Sequence, residues 1–203
     1  MAAELFFIYD THCPWSYAST PLVEKILTAY PAITFRAMHL GYYDGDNKVS
    51  QTSMTGVNEL SDVKFGANYI DNLNHAKDST LTANLMAWVQ NKSARSTLQL
   101  LIALQHAHFM LGNELIDKDS VSDIINELKL SPPAKCLQVN KLTKDAEFAI
   151  HDIMEIQELI GTKAIPALLL AYNDNLVLLN HNLYLQYPET IIEAVKLELE
   201  KLS

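Results

Sequence analysis

The sequence contains little cysteine: its 203 residues include two, Cys13 and Cys136. Two cysteines are too few for a disulfide-stabilised scaffold, and these two stand too far apart in sequence for any common zinc-binding spacing. We therefore expect both to be free thiols in a reducing compartment. The histidines and glutamates also lack the spacing of metal ligands along a helix, so the sequence predicts no metal site.

Positive charge and long apolar segments are scarce as well. The chain has 15 lysines and arginines against 24 acidic residues, and this net charge of -9 predicts neither nucleic acid nor an anionic membrane as a partner. No apolar run approaches the roughly 20 residues that a membrane-spanning helix needs. The first residues carry no basic leader, so we expect no signal peptide and a cytoplasmic location, or a periplasmic one if the chain is a processed form.

Apolar residues are abundant enough to form a core. Hydrophobic residues make up 49% of the chain and charged residues 19%, and no low-complexity segment interrupts them. This composition excludes extended disorder and predicts one well-buried core, with enough chain left for an inserted subdomain.

The first forty residues alternate between strand and helix patterns. Residues 4–9 are almost continuously apolar and rich in aromatics, which is typical of a buried strand. Pro14 suits the first turn of a helix and Pro31 cannot continue one, so a helix is predicted between them. Residues 32–38 have the composition of a second strand. The order strand, helix, strand predicts a βαβ unit with parallel strands.

The middle of the chain has helical periodicity and no strand-like alternation, which predicts an all-helical insertion over residues 55–139. The elements predicted after it are a helix from Thr143 to Gly161, a hairpin of strands at 164–171 and 176–179, and a last helix from Pro188. We therefore predict an α/β fold in which residues 1–54 and 140–203 form the core and the insertion forms a helical subdomain.

Cys13 stands where the first predicted strand ends and the first helix begins. The unpaired N–H groups and the dipole of a helix N-terminus stabilise a thiolate at such a position. They can lower a cysteine pKa from about 8.5 to roughly 3.5–7.5, and a protonated His12 would add to the effect. Cys13 is therefore the candidate nucleophile rather than a small buried apolar residue.

The segment Cys13-Pro-Trp-Ser-Tyr17, placed after an aromatic strand, resembles the active-site segment of the DsbA-like branch of the thioredoxin superfamily. The resemblance implies a thioredoxin-like fold with an inserted helical subdomain and a disulfide oxidoreductase or isomerase activity. It extends to residues 161–166, where that family has a cis-proline beside the catalytic cysteine and pairs the preceding backbone with an extended substrate. The site residues implied are Cys13, Ser16 and Pro166 for catalysis and His12, Pro14, Trp15 and Ile165 for substrate binding.

The sequence departs from the dithiol pattern of that family at Ser16, which occupies the position of the second cysteine. A second thiol would attack the mixed disulfide and release the product, and a serine hydroxyl is not acidic enough to do so. The resemblance therefore implies a monothiol enzyme that exchanges protein or peptide disulfides through Cys13, with no tightly bound cofactor and with glutathione as a candidate co-substrate. Cys136 could resolve the adduct only if the two Cα atoms came within about 7 Å.

The same segment is similar to kappa-class glutathione transferases and hydroxychromene-carboxylate isomerases, which carry Ser-Pro-x-Ser there. This resemblance implies glutathione-dependent chemistry on a small electrophile. Those proteins hold the γ-glutamyl end of glutathione with a Ser-Asp pair after the late hairpin, and residues 179–184 contain no such pair; Asn182 offers a hydrogen bond but no charge. A third hypothesis is a non-catalytic scaffold that binds a peptide or partner, and a homodimer is compatible with all three.

Further candidates surround these segments. His39, Tyr42 and Tyr43 follow the second strand, where they could line a pocket near Cys13 or simply pack. Lys163 could add positive potential to the site. Any peptide groove is expected between the helical insertion and the core.

Overall fold

The structure, a computed structural model, describes residues 3–202. The strands are β1 Glu4–Tyr9, β2 Thr34–His39, β3 Ala167–Tyr172 and β4 Asn175–Leu179. The α-helices are α1 Pro14–Ala29, α2 Gln51–Leu60, α3 Ala67–Asp71, α4 Thr80–Lys92, α5 Thr97–Phe109, α6 Lys118–Glu127, α7 Lys144–Ile160 and α8 Ile191–Leu202. Short 3-10 helices occupy Ala94–Ser96, Ala134–Leu137, His181–Tyr184 and Pro188–Thr190.

The four strands form one sheet in the order β2-β1-β3-β4. β1 pairs in parallel with β2, from Glu4 opposite Thr34 to Tyr9 opposite His39. β3 runs antiparallel to both β1 and β4. The predicted parallel βαβ unit and the predicted late hairpin are thus confirmed.

Helices cover both faces of the sheet, so β1 is buried on both sides. Phe7 and Leu168 point to the face covered by α1 and α8, within the main hydrophobic core. Ile8 and Leu169 point to the other face, where α7 contributes Ile153. Burial on both faces explains why β1 and β3 read as nearly continuous apolar runs instead of alternating ones.

The segment between β2 and α7 contains helices α2 to α6 and no β-strand among the residues described. Its central helix, α4, contacts β2, α5 and α7. Leu81 and Leu85 of α4 belong to the same hydrophobic core as Phe7 of β1, so the helical segment and the sheet share one core. The predicted start of the insertion, residue 55, lies inside α2. No helix within residues 3–202 is both long enough and apolar enough to cross a membrane.

Local chemistry sets the ends of the helices that flank the sheet. Pro14 occupies the first position of α1, where its missing N–H leaves no hydrogen bond unmade. The Thr143 hydroxyl accepts a hydrogen bond from the Ala146 N–H at 3.3 Å and begins α7. Gly161 ends that helix in the left-handed conformation, with φ of 70°. Both ends of α7 agree with the sequence prediction.

Within the helical segment, α3 docks on the end of α5 through a close backbone contact at Gly66, directly before α3. The Gly66 N–H donates to the carbonyl of Phe109 at 2.9 Å. A Cβ at this position would overlap the carbonyl oxygen of Met110. Glycine therefore lets α3 dock against the end of α5, and α3 carries Tyr69 into the interior.

We expect Gly66→Ala to lower the free energy of unfolding by about 2–3 kcal/mol, because α3 must move away from Met110 to admit the methyl group. Gly161→Ala is the matched control: an added Cβ would meet no described atom within 4 Å. Only the left-handed backbone then opposes the change, at about 1 kcal/mol. Urea unfolding measures both, and equal losses would show that α3 does not depend on the close contact.

Candidate active site

Cys13 is the N-cap residue of α1, directly after the turn that follows β1. Its backbone N–H donates to the carbonyl of Asp10 at 3.2 Å, which closes this turn. Cys13 is 6% exposed and packs in a cluster with Tyr43, Tyr69 and Phe109. The thiol therefore lies at the junction of the core and the helical segment, with little access to water.

Ile165 and Pro166 lie beside the turn that carries Cys13. Ala167, the first residue of β3, pairs with Ile8 near the end of β1, so the residues before it reach the same edge of the sheet as the turn. The Ile165–Pro166 peptide bond is cis. Ile165 packs against the cluster that contains Cys13. The fold thus brings together the two segments that the sequence resemblance singled out.

Ser16 and Trp15 lie in the first turn of α1. Ser16 is fully buried, and its hydroxyl accepts a hydrogen bond from the Asp10 N–H at 3.3 Å. Trp15 is half-buried and packs close to Gly56 of α2. Pro14 is buried. Of these residues, Trp15 has the surface to contact a bound substrate.

Burial raises the pKa of the Cys13 thiol above its usual value. Hydrogen bonds from the backbone and hydroxyl of Ser16 oppose this effect, while the Asp10 carboxylate adds to it. The prediction of a lowered pKa is therefore wrong. The helix N-terminus is present, but loss of hydration has the larger effect on the thiolate.

His12 does not point toward a substrate. It has no exposed surface, and its ring nitrogens lie 3.0 Å from the Ser79 hydroxyl and 3.3 Å from the Glu114 carbonyl. The ring packs edge-on against His108, with centroids 4.6 Å apart. The prediction that His12 binds substrate directly is corrected on this ground. The side chain instead joins the turn of residues 10–13, called the active-site turn after the candidate nucleophile Cys13, to the helical segment.

Asp10 is fully buried and ionised at the base of the turn. Its Oδ1 accepts hydrogen bonds from the His12 N–H and the Ser79 hydroxyl, both at 2.8 Å. Its Oδ2 accepts from the Tyr42 N–H at 2.7 Å. Burial acts to raise the pKa of Asp10, but His39 and the nearby His12 outweigh burial and hold the pKa well below its usual range. One carboxylate therefore joins the active-site turn, the loop after β2 and the start of α4.

His39 supports this network from the end of β2. Burial lowers its pKa to about 4, and Asp10 offsets only part of the shift. Its ring accepts the Gly41 N–H at 3.1 Å and lies 3.0 Å from the Thr11 hydroxyl. His39 is therefore neutral at physiological pH, and its buried ring is held by Thr11 and Gly41.

The remaining candidates occupy different environments. Tyr43 is 7% exposed and belongs to the cluster around Cys13, whereas Tyr42 is 56% exposed. Lys163 is exposed. Cys136 lies in a short 3-10 helix that packs on α4, outside the Cys13 cluster, and both cysteines are free thiols.

No protein-family model and no curated protein matches the sequence. The cytosolic disulfide reductase DsbM from Pseudomonas aeruginosa has a similar structure, with a TM-score of 0.82 at 18% identity over 97% of this chain and 98% of that one. The chain has a DsbA-type thioredoxin-like fold. This confirms the fold that the sequence resemblance predicts.

Two further structures share the DsbA-type fold over nearly the whole chain. DsbM from Pseudomonas aeruginosa with GSH gives a TM-score of 0.80 at 17% identity and covers 97% of this chain and 99% of that one. A proposed protein disulfide isomerase from Nitrosomonas europaea gives 0.76 at 15% identity and covers 100% of both chains. At sequence identities this low, the similarity establishes the fold and not the function.

Sequence reasoning missed Asp10, Ser79 and Tyr69 as site residues. Asp10 has a local signal, because an acidic residue directly after a buried strand is a candidate for a buried charge, and a buried charge needs hydrogen-bond partners. Ser79 and Tyr69 have no such signal, since only the docking of the helical segment brings them to the active-site turn.

The buried neutral His39 predicts a loss of stability in mild acid. Its folded pKa of about 4 lies below the unfolded value of 6.5, so the unfolded state binds more protons as the pH falls from 6.5 toward 4. We expect His39 to account for about 2 kcal/mol of the stability lost between pH 7 and pH 5. Urea unfolding of a His39→Gln variant at both pH values should show a correspondingly smaller loss.

His151→Gln is the control for this measurement, because the His151 side chain is 70% exposed. It should leave the difference between pH 7 and pH 5 unchanged. A pH dependence that is the same in both variants and in the parent would mean that His39 is not held neutral.

Proposed function

We propose that this protein is a monothiol thiol–disulfide oxidoreductase that acts through Cys13. The observation that carries the proposal is a single thiol at the start of α1, packed against Ile165 at the entry of β3. Two proteins of the same fold are described as a disulfide reductase and a proposed disulfide isomerase, which supports this chemistry. Pro166 and the Ile165 backbone would align an extended substrate beside the thiol.

In the proposed reaction, the Cys13 thiolate attacks one sulfur of a substrate disulfide. A bond forms between that sulfur and Cys13, the substrate S–S bond breaks, and the other substrate sulfur leaves as a thiolate and takes up a proton. Ser16 cannot attack this mixed disulfide. An outside thiol such as glutathione attacks the Cys13 sulfur and releases the substrate as a thiol. A second glutathione then frees Cys13 and forms glutathione disulfide.

The environment of Cys13 favours reduction and isomerisation over oxidation. Burial raises the pKa of the thiol, which lowers the fraction of thiolate at neutral pH. The thiolate that does form is a strong nucleophile and a poor leaving group. An incoming thiol therefore displaces the substrate from a mixed disulfide more readily than it displaces Cys13. The proposal accordingly assigns the protein a reducing compartment, the cytoplasm, and protein or peptide disulfides as substrates.

Glutathione is the proposed outside thiol because one of the similar structures is of DsbM with GSH. The second candidate function, a glutathione-dependent transferase or isomerase, is favoured by the buried Ser16 next to Cys13. In that case glutathione would bind before any disulfide, and a small electrophile would be the substrate. Turnover of such an electrophile with glutathione, without disulfide exchange, would select this candidate.

We expect Cys13→Ser to abolish disulfide exchange, because no other thiol lies in the Cys13 cluster. The assay follows a test peptide whose disulfide joins a fluorophore to a quencher, in a buffer of reduced glutathione. Cys136→Ala is the matched control and should keep the parent rate, since Cys136 packs elsewhere. If Cys13→Ser exchanged the peptide as fast as the parent, Cys13 would not be the nucleophile and the proposed function would be wrong. A parent rate no higher than that of glutathione alone would leave the non-catalytic scaffold.

A further inference from the structure

A buried hydroxyl without a partner lies in the helical segment beside Cys13. Tyr69 is 1% exposed, and its hydroxyl makes no hydrogen bond to any residue that the structure describes. Buried tyrosine hydroxyls usually find a partner, so one that lacks it inside a site needs an explanation.

Three ring contacts hold Tyr69 in place. Its ring stacks on Phe65 with centroids 5.3 Å apart, and it meets the rings of His108 and Phe109 edge-on at 5.1 and 4.9 Å. Tyr69 shares its hydrophobic cluster with Cys13 and Tyr43. These rings keep the phenol inside the Cys13 cluster, and its hydroxyl is the part of the side chain that can gain a hydrogen bond when the sulfur becomes a charged acceptor.

An ionised Cys13 affects the pKa of both Tyr69 and Tyr43. Burial raises the pKa of each tyrosine, and the charge of an ionised Cys13 raises it further. Both hydroxyls therefore keep their hydrogen at physiological pH and can act only as neutral donors toward a thiolate. Both tyrosines belong to the hydrophobic cluster that contains Cys13.

A thiolate at Cys13 has few other stabilising neighbours. The groups that act on its charge are Ser16 and the Trp15 backbone, which donate hydrogen bonds, and Asp10, which repels it. His12 is turned toward Ser79 and Glu114. Another donor at this buried position would therefore have a large effect on how readily the thiol ionises.

We propose that the Tyr69 hydroxyl donates a hydrogen bond to the Cys13 sulfur when Cys13 ionises, with Tyr43 as a second donor. The proposal rests on Cys13 being the nucleophile of the proposed function. Tyr69 is then a catalytic residue, supplied to the thioredoxin-like core by the inserted helices. The proton leaves Cys13 for solvent or for the departing thiolate, and both tyrosines keep theirs.

The test is the pH dependence of Cys13 alkylation by iodoacetamide, in a Cys136→Ala background and without any disulfide. The thiolate attacks carbon and iodide leaves, so the rate reports the thiolate fraction. Tyr69→Phe should raise the Cys13 pKa by about one unit, the effect of one lost hydrogen bond to a charged group. Tyr43→Phe should raise it as well.

Tyr9→Phe is the matched control. Tyr9 is also fully buried, and its hydroxyl also lacks a partner, but it lies in the main core and outside the Cys13 cluster. This variant should leave the Cys13 pKa unchanged. Thermal unfolding should show Tyr69→Phe folded, because the change removes a hydroxyl that makes no hydrogen bond.

A Cys13 pKa within about 0.3 units of the parent in folded Tyr69→Phe would overturn the proposal. If that variant failed to fold, the same result in Tyr43→Phe would overturn it. Alkylation requires no disulfide exchange, so the two hypotheses fail separately. If Tyr69→Phe shifts the Cys13 pKa but the parent has no exchange activity, Tyr69 is a donor and the oxidoreductase proposal is wrong. If the parent is active but Tyr69→Phe leaves the Cys13 pKa unchanged, the oxidoreductase proposal stands and the donor proposal is wrong.

Discussion

The burial of the Cys13 thiol is the constraint on which the rest of the site depends. The sulfur begins a helix, yet the helical segment covers it and loss of hydration raises its pKa. Hydrogen-bond donors around the sulfur then matter more than they would in water, since each acts at low dielectric. The same burial makes Cys13 a poor leaving group, which would suit the proposed mechanism, in which an outside thiol resolves the mixed disulfide.

The buried carboxylate of Asp10 fixes the relative positions of three segments of this site. It accepts hydrogen bonds from the active-site turn, from Ser79 before α4 and from the loop after β2. A buried charge is tolerated only when its hydrogen-bonding sites are filled, so these three segments must arrive together. The carboxylate also repels a Cys13 thiolate, so the group that assembles the site opposes its ionisation.

The parts of the fold that depend on local chemistry could be predicted from the sequence. The apolar run of β1, Pro14 at the start of α1 and the caps of α7 each act over a few residues, and the structure agrees with them. The burial that raises the pKa of Cys13 comes from distant residues such as Tyr69 and Phe109. The orientation of His12 depends on Ser79 and Glu114, which are also distant in sequence, so no local pattern encodes either property. The importance of the segment around Pro166 could be predicted only from the family resemblance. Periodicity alone predicts no more than the start of a strand there.

The most direct test of Cys13 as a single-thiol nucleophile is intact-mass measurement after the protein is mixed with glutathione disulfide and then freed of it. We expect one glutathione per chain, on Cys13 by peptide mapping, and an adduct that persists until reduced glutathione is added. Ser16 gives the protein no means to release it earlier. An unmodified Cys13, or an adduct that disappears through a Cys13–Cys136 disulfide, would contradict a monothiol site.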